Sequence, residues 1–121
     1  MAMGALRVAQ TLVGEKEPPR LWWMTRGAVG LTAEEEVSAS GCSVWGLGRT
    51  VMLEHPELGC TLVDVSSWHD IEGALAGELG AEDDETQVVW RGGERHVARL
   101  VQAGAGASVP LAENYELVTE R

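Results

Sequence analysis

Val44-Trp45-Gly46-Leu47-Gly48-Arg49-Thr50-Val51-Met52-Leu53-Glu54-His55-Pro56 is the stretch that decides the fold. On a helical projection of about 100° per residue, Val44, Trp45, Leu47, Gly48, Val51 and Met52 fall within an arc of roughly 160°. Gly46, Thr50 and Glu54 take the other side, with Arg49 near the boundary. That arc is wider than a coiled-coil seam, so the spacing predicts a helix lying on a sheet. Gly46 and Gly48 each weaken the helix by about 1 kcal/mol relative to alanine. Such a cost is tolerated where a missing side chain lets two backbones approach, and Gly48 lies on the inward arc. Pro56 ends the helix, because the residue before a proline is pushed out of the α region. Ser40 or Ser43 is expected to supply the N-cap oxygen. Leu53 falls outside the arc and is a candidate for contact with a neighbouring domain.

Before this helix, Leu6, Ala9, Leu12 and Val13 recur at helical spacing and predict an amphipathic helix. Gly14 and Glu15-Lys16-Glu17 stop it, and Pro18-Pro19 cannot continue it. Leu21-Trp22-Trp23-Met24-Thr25 follows, a continuous apolar run that places Trp22 and Trp23 on opposite faces of a strand. A strand covered on both sides reads as central in an α/β sheet. Arg26 to Gly30 is a turn, and the Glu34-Glu35-Glu36 stretch is expected as a solvated loop.

After the helix, Cys60-Thr61-Leu62-Val63-Asp64-Val65 predicts a second buried strand. Ser66 or Ser67 then caps a helix from Trp68 to Leu79, with Trp68, Ile71, Leu75 and Leu79 as its apolar face. Glu82-Asp83-Asp84-Glu85 is a charged connection. Residues 87–91 and 94–100 are β-prone runs around Gly92-Gly93, a hairpin signal. Ala103 to Ala107 alternates Gly and Ala as a linker, and Asn114 to Thr119 is read as one more short strand. The order α-β-α-β-α-β-β predicts a small α/β, truncated Rossmann-like domain. Its sheet is mostly parallel, flanked by helices, and closed by a C-terminal β-hairpin edge. The domain is placed at residues 1–101, with 102–121 as linker and onward connection.

Composition bounds the function. A chain of 121 residues with 45% hydrophobic content suffices for one domain with a modest core. Its formal net charge of −10 is repelled by nucleic acid and by anionic lipid, so neither is expected as a partner. Cys42 and Cys60 do not make a disulfide framework and read as free thiols of a reducing, cytoplasmic compartment. No apolar run approaches the roughly 20 residues of a membrane span.

Candidate chemistry is sparse. Gly46-Leu47-Gly48 lies inside a helix, and Gly27-Ala28-Val29-Gly30 leads into three glutamates, so neither fits a dinucleotide-binding turn. His55, His69, His96 and the two cysteines lack paired metal-ligand spacing, so no metal is expected. Ser66, His69 and Asp70 contain triad residue types, yet consecutive polar residues are what helix capping produces. Asp64, near a strand end, suits either a ribose contact or the N-terminus of the following helix. Carbonyl reduction by a short-chain reductase needs Tyr and Lys close together, whereas here the only tyrosine is Tyr115 and the only lysine Lys16.

Several of these stretches resemble one family. Residues Leu21 to Ala28, Val44 to Thr50, Leu53 to Leu58, Leu62-Val63-Asp64, Glu82-Asp83 and Arg91-Gly92-Gly93-Glu94-Arg95 are similar to the structural subdomain of ketoreductases in type I modular polyketide synthases. The resemblance covers about Leu6 to Leu100 and is most specific from Val44 to Leu58. It departs from the family just before the Val-Trp-Gly run, where the usual proline and glutamine are missing from Val37 to Ser43. The resemblance implies a truncated Rossmann-like half without cofactor that braces a second, catalytic half holding NADPH. It assigns structural roles to Trp22, Trp23, Val44, Trp45, Leu47, Gly48, Val51, Met52 and Leu53, and no catalytic residue. Asn114 to Arg121 is similar to the start of an enoylreductase domain, which fully reducing modules insert between the two halves. The expected partners are therefore the catalytic ketoreductase half and an adjacent enoylreductase, with a homodimer as the option for an isolated fragment. A self-standing nucleotide-binding domain and a self-associating interaction module stay open as alternatives.

Overall fold

The computed structural model describes residues 2–100 and Gln102. The elements run α1 (Ala2–Val13), β1 (Trp22–Arg26), α2 (Ala39–Glu54), β2 (Thr61–Val65), α3 (Ile71–Gly80), β3 (Gln87–Arg91) and β4 (Glu94–Val97). The strands form a single sheet in the order β1-β2-β3-β4. The first three are parallel, and β4 closes the sheet antiparallel to β3. This is the small Rossmann-like α/β architecture expected from the alternating pattern. The linker at Ala103 to Ala107 and the strand expected at Asn114 to Thr119 lie outside the described residues.

Strand alternation sorts the core into two layers. Trp23, Thr25, Leu62, Asp64 and Val89 face α2, whereas Trp22, Met24, Val63, Val65 and Trp90 face α3. α1 packs beside α2, where Ala9 and Leu12 meet Val51, Leu58 and Cys60. β2, buried at every position, is the strand covered by helices on both sides. β1 departs from expectation here: it is an edge strand, not a central one. Its two tryptophans cover both faces, as a central strand would, but among the described residues only β2 pairs with it.

The helices explain themselves residue by residue. α2 starts earlier than its apolar stripe suggests, and Ser38 rather than Ser40 or Ser43 is its cap, accepting from the Gly41 amide. Its first turn is small and polar, so it carries no periodic signal. Val44, Trp45, Gly48 and Val51 are buried, Leu47 and Met52 are half-buried, and Leu53 is 85% exposed. α3 differs more. Ser67 caps the single 3₁₀ turn that leads into it, but the face turned to the sheet is Ala74, Gly77 and Glu78. Trp68, Leu75 and Leu79 point outward, with Leu79 68% exposed. The Trp90 indole lies against Gly77, where even a methyl group would come within 2.5 Å of the ring. Small residues let the helix settle on the aromatic, and that contact outweighs the larger apolar stripe.

The steps β1→β2 and β2→β3 run in one direction across the sheet, while α2 and α3 lie on opposite faces. The two crossovers therefore have opposite hands, and one of them departs from the right-handed rule. The closing hairpin turns at Gly92 and Gly93, whose φ values of 56° and 79° define the left-handed pair of a type I′ turn. β4 is shorter than expected, ending at Val97.

Gly46 and Gly48 sharpen the reading of α2. A methyl group on Gly48 would sit 2.6 Å from Leu62 Cδ2, whereas one on Gly46 meets nothing within 4 Å. Leu62 is fully buried and has no room to give. Gly48→Ala is expected to destabilise by about 1–3 kcal/mol through overpacking, net of its helix-propensity gain. Gly46→Ala is expected to stabilise by up to about 1 kcal/mol. Urea unfolding of the two variants reads both signs.

Candidate functional site

In open α/β sheets, ligands bind beyond the carboxyl ends of the strands. In this domain the carboxyl end of β1, the loop to α2, and the ends of β2 and β3 meet around Asp64. Asp64 is fully buried, and its register partner on β1 is Thr25. Oδ1 accepts from the Thr25 hydroxyl at 2.5 Å and from the Ala28 amide at 2.8 Å. Oδ2 accepts from the Val29 amide at 3.3 Å and from Arg91 Nη2 at 2.7 Å. Thr25 in turn accepts from the Trp45 indole N–H at 2.8 Å, which ties α2 to the same carboxylate.

Arg91 extends the network outward. Its Nη2 donates to the Val29 carbonyl at 2.8 Å, and its Nε to Glu35 Oε1 at 3.1 Å. Glu35 Oε2 accepts from the Leu31 and Thr32 amides at 2.5 and 3.1 Å. The β1–α2 loop is therefore held at Ala28, Val29, Leu31 and Thr32 by two carboxylates and one guanidinium. The Arg91 hydrogen bond, aided by the loop amides, holds the Glu35 carboxyl below its ordinary range. Ion pairing with Asp64 and Glu35 outweighs burial and raises Arg91 further.

Two sequence expectations change here. Asp64 neither leads into a helix N-terminus nor offers a free oxygen to a ribose. Glu34 and Glu36 are exposed as expected, but Glu35 is half-buried and paired. Residues 25, 45, 64 and 91 lie far apart in sequence and share no motif, so local spacing carried no sign of the network.

A second network lies on the α3 face. Glu78 is buried and accepts from the Trp90 indole at 2.8 Å and from Arg95 Nε and Nη2 at 2.7 and 3.1 Å. Arg95 also forks onto Asp83, at 2.5 and 3.0 Å. The charged connection at residues 82–85 thus helps anchor the hairpin. Arg95 lowers the Asp83 carboxyl, and Glu78 with Asp83 raises the guanidinium strongly.

The other candidates fall apart in space. Ser66 donates to Asp70 at 3.1 Å and the Ser67 hydroxyl accepts from the His69 amide, but the His69 ring bonds to none of them among the described residues. That is capping geometry. Among the described residues no group of three or more His, Cys, Asp or Glu side chains is placed to hold a metal. Burial pushes the Cys60 thiol up to about 11, which keeps it protonated and unreactive at neutral pH. The cavity beyond β1, between Thr25, Arg26, Ser40, Gly41 and Trp68, is about 200 Å³. Ligand pockets generally run to about 300–1,000 Å³. No described helix is long and apolar enough to cross a membrane.

Asp64→Ala would leave Arg91 without its buried partner and two loop amides unpaired, so it is expected to cost about 3–5 kcal/mol, read by urea unfolding. Glu35 and Asp83 carry lowered folded values, so their stabilisation is complete above the ordinary carboxylate values of 4.5 and 3.8 and is lost as pH falls through the folded ones. Glu35→Gln removes one of these protonations. The variant is expected to lose stability less steeply than the parent below about pH 4.5 in a pH series of thermal melts.

Residues 1–100 match the family described as the Rossmann fold domain of the polyketide synthase extender module SpnB. The chain is 41% identical over 105 residues to one phenolphthiocerol/phthiocerol polyketide synthase polypeptide of Mycobacterium tuberculosis H37Rv, an alignment spanning 84% of this chain and 5% of that protein. It is 40% identical over 86 residues to a second phenolphthiocerol/phthiocerol polyketide synthase polypeptide, from strain CDC 1551 of the same organism, spanning 69% of this chain and 6% of that protein. The chain thus spans about one twentieth of the length of these relatives. With its parallel sheet, its flanking helices and this match along residues 1–100, the chain belongs to the Rossmann fold domain family of polyketide synthase extender modules.

Proposed function

We propose that this domain is the non-catalytic, structural half of a polyketide synthase ketoreductase. It braces the NADPH-binding catalytic half that reduces β-keto groups on carrier-bound intermediates, and binds no cofactor itself. One observation carries the reading: the loop amides of Ala28 and Val29, which a dinucleotide-binding turn would aim at a pyrophosphate, are spent on the buried Asp64 carboxylate. The sequence supports it further, since Lys16 and Tyr115, the only residues of their kinds, stand far apart along the chain. A scaffold needs rigidity and a contact face. The two ion-pair networks supply the first. For the second, Leu53 on the outward side of α2 is the residue proposed to meet the partner.

Co-expression with the catalytic half of the same synthase tests this. The catalytic half is expected to be soluble and to reduce a β-ketoacyl thioester with NADPH only when this chain is present. Leu53→Asp is expected to weaken co-purification at least tenfold while leaving the melting temperature of this chain unchanged. A catalytic half equally soluble and active alone would contradict the proposal.

A further inference from the structure

The hairpin that ends the sheet leaves part of the α2 face uncovered. β3 passes directly into β4 through Gly92-Gly93, so no crossover helix follows it. α2 itself packs on β1 and β2, with Gly48 set against Leu62. Between α2, the β1–α2 loop and the hairpin lies a largely apolar cavity of about 130 Å³. The buried Trp45 and Val89 form its floor, and Val29, Leu31, Val97 and Ala98 its walls. Cofactor and metabolite pockets generally run to about 300 Å³ or more, so the volume is too small for such a ligand. Apolar walls also give water few hydrogen-bond partners. The group that suits this cavity is a single aliphatic side chain.

The chain leaves the sheet beside this cavity. β4 runs antiparallel to β3 with Val97 opposite Val88, and the next residue, Ala98, is part of the cavity wall. Arg99 is pinned to Glu85, and Leu100 is fully exposed. Residues 103–108 then carry no large apolar side chain, and the first cluster is Val109-Pro110-Leu111. From Leu100 to Leu111 the chain can span at most about 36 Å, ample for a cavity that Ala98 already touches. A side chain tethered so closely has an effective concentration of about millimolar, enough to fill a site that binds a free partner only weakly. Pro110 favours an extended Val109, and in an extended run Val109 and Leu111 share one side. Charge agrees as well. Arg49, on the cavity's polar side, donates to Gln87 at 2.7 Å and is in no salt bridge among the described residues. Glu113 stands two residues beyond Leu111.

We propose that Val109-Pro110-Leu111 docks on the α2 face of its own domain, with Leu111 in the cavity over Trp45 and Val89 and Glu113 paired with Arg49. The segment covers the apolar surface of β3 that a crossover helix would cover in a longer sheet. It also sets the side of the domain from which the polypeptide continues, since residues beyond Glu113 then depart from beside α2. This docking uses only groups of the described domain and residues 109–113, so it stands or falls apart from any role in ketoreduction.

Methyl NMR on the 121-residue chain, labelled at leucine and valine methyls, tests it. Nuclear Overhauser contacts are expected from the Leu111 methyls to the Val89 methyls and the Trp45 ring. Leu111→Asp is expected to abolish them and to shift the Val89 methyls, leaving those of Val65 on the opposite face in place. Arg49→Glu is expected to lower the docked population several-fold, and Arg49→Glu combined with Glu113→Arg to restore it. Restoration by the exchanged pair separates docking from any damage that Arg49→Glu does to the fold. Absence of Leu111–Val89 contacts, with Val89 unmoved by Leu111→Asp, would overturn the proposal. Contacts seen only between differently labelled copies would also overturn it, by assigning the cavity to a second molecule. So would contacts to Val89 from Leu117 or Val118 in place of Leu111.

Discussion

A single buried carboxylate holds the carboxyl end of this sheet together. Asp64 enters the interior on the strand that helices cover from both sides, where an uncompensated charge would cost several kcal/mol. Four donors compensate it: a hydroxyl from β1, two amides from the β1–α2 loop and a guanidinium from β3. Because these donors come from three elements and the carboxylate from a fourth, the contact fixes positions that apolar packing alone leaves free to slide. The indole of Trp45 joins through Thr25, so the register of α2 over the sheet depends on the same group.

The opposite face repeats the device with different parts. Glu78 on α3 accepts from Trp90 on β3 and from Arg95 on β4, so a helix, a central strand and the closing hairpin share one buried acid. Each helical layer is thus tied to the sheet by an acid, an arginine and an indole N–H. Arginines 91, 95 and 99 each pair with a carboxylate of the same chain, so part of the acidic excess is neutralised where the hairpin meets the rest of the sheet.

Much of the architecture was legible in the sequence, because it rests on local signals. Continuous apolar and β-prone runs mark the strand positions, Gly92-Gly93 the hairpin, Pro56 the end of α2, and Gly48 its close approach to the sheet. The failures have physical causes. β1 carries an aromatic on each face and so reads as a central strand, although among the described residues it pairs with β2 alone. The large apolar residues of α3 predict one rotation of the helix, but the contact that decides it is made by Ala74, Gly77 and Glu78. Small residues are nearly silent on a hydropathy scale, and a glutamate reads as solvent-facing. The Asp64 network was invisible for a different reason: its partners are joined only by tertiary contact.

The loop after β1 is closed from within. In a dinucleotide-binding fold those amides wait for an external anion. In this domain a side chain of the next strand already supplies the negative charge, and Arg91 balances it. The direct measurement is the backbone ¹⁵N–¹H resonances of Ala28 and Val29 in the purified chain as NADPH is added. Both are predicted to stay in place, with slow hydrogen exchange, through millimolar nucleotide. Saturable shifts of these two amides at micromolar NADPH would contradict the claim that Asp64 has taken the place of a ligand.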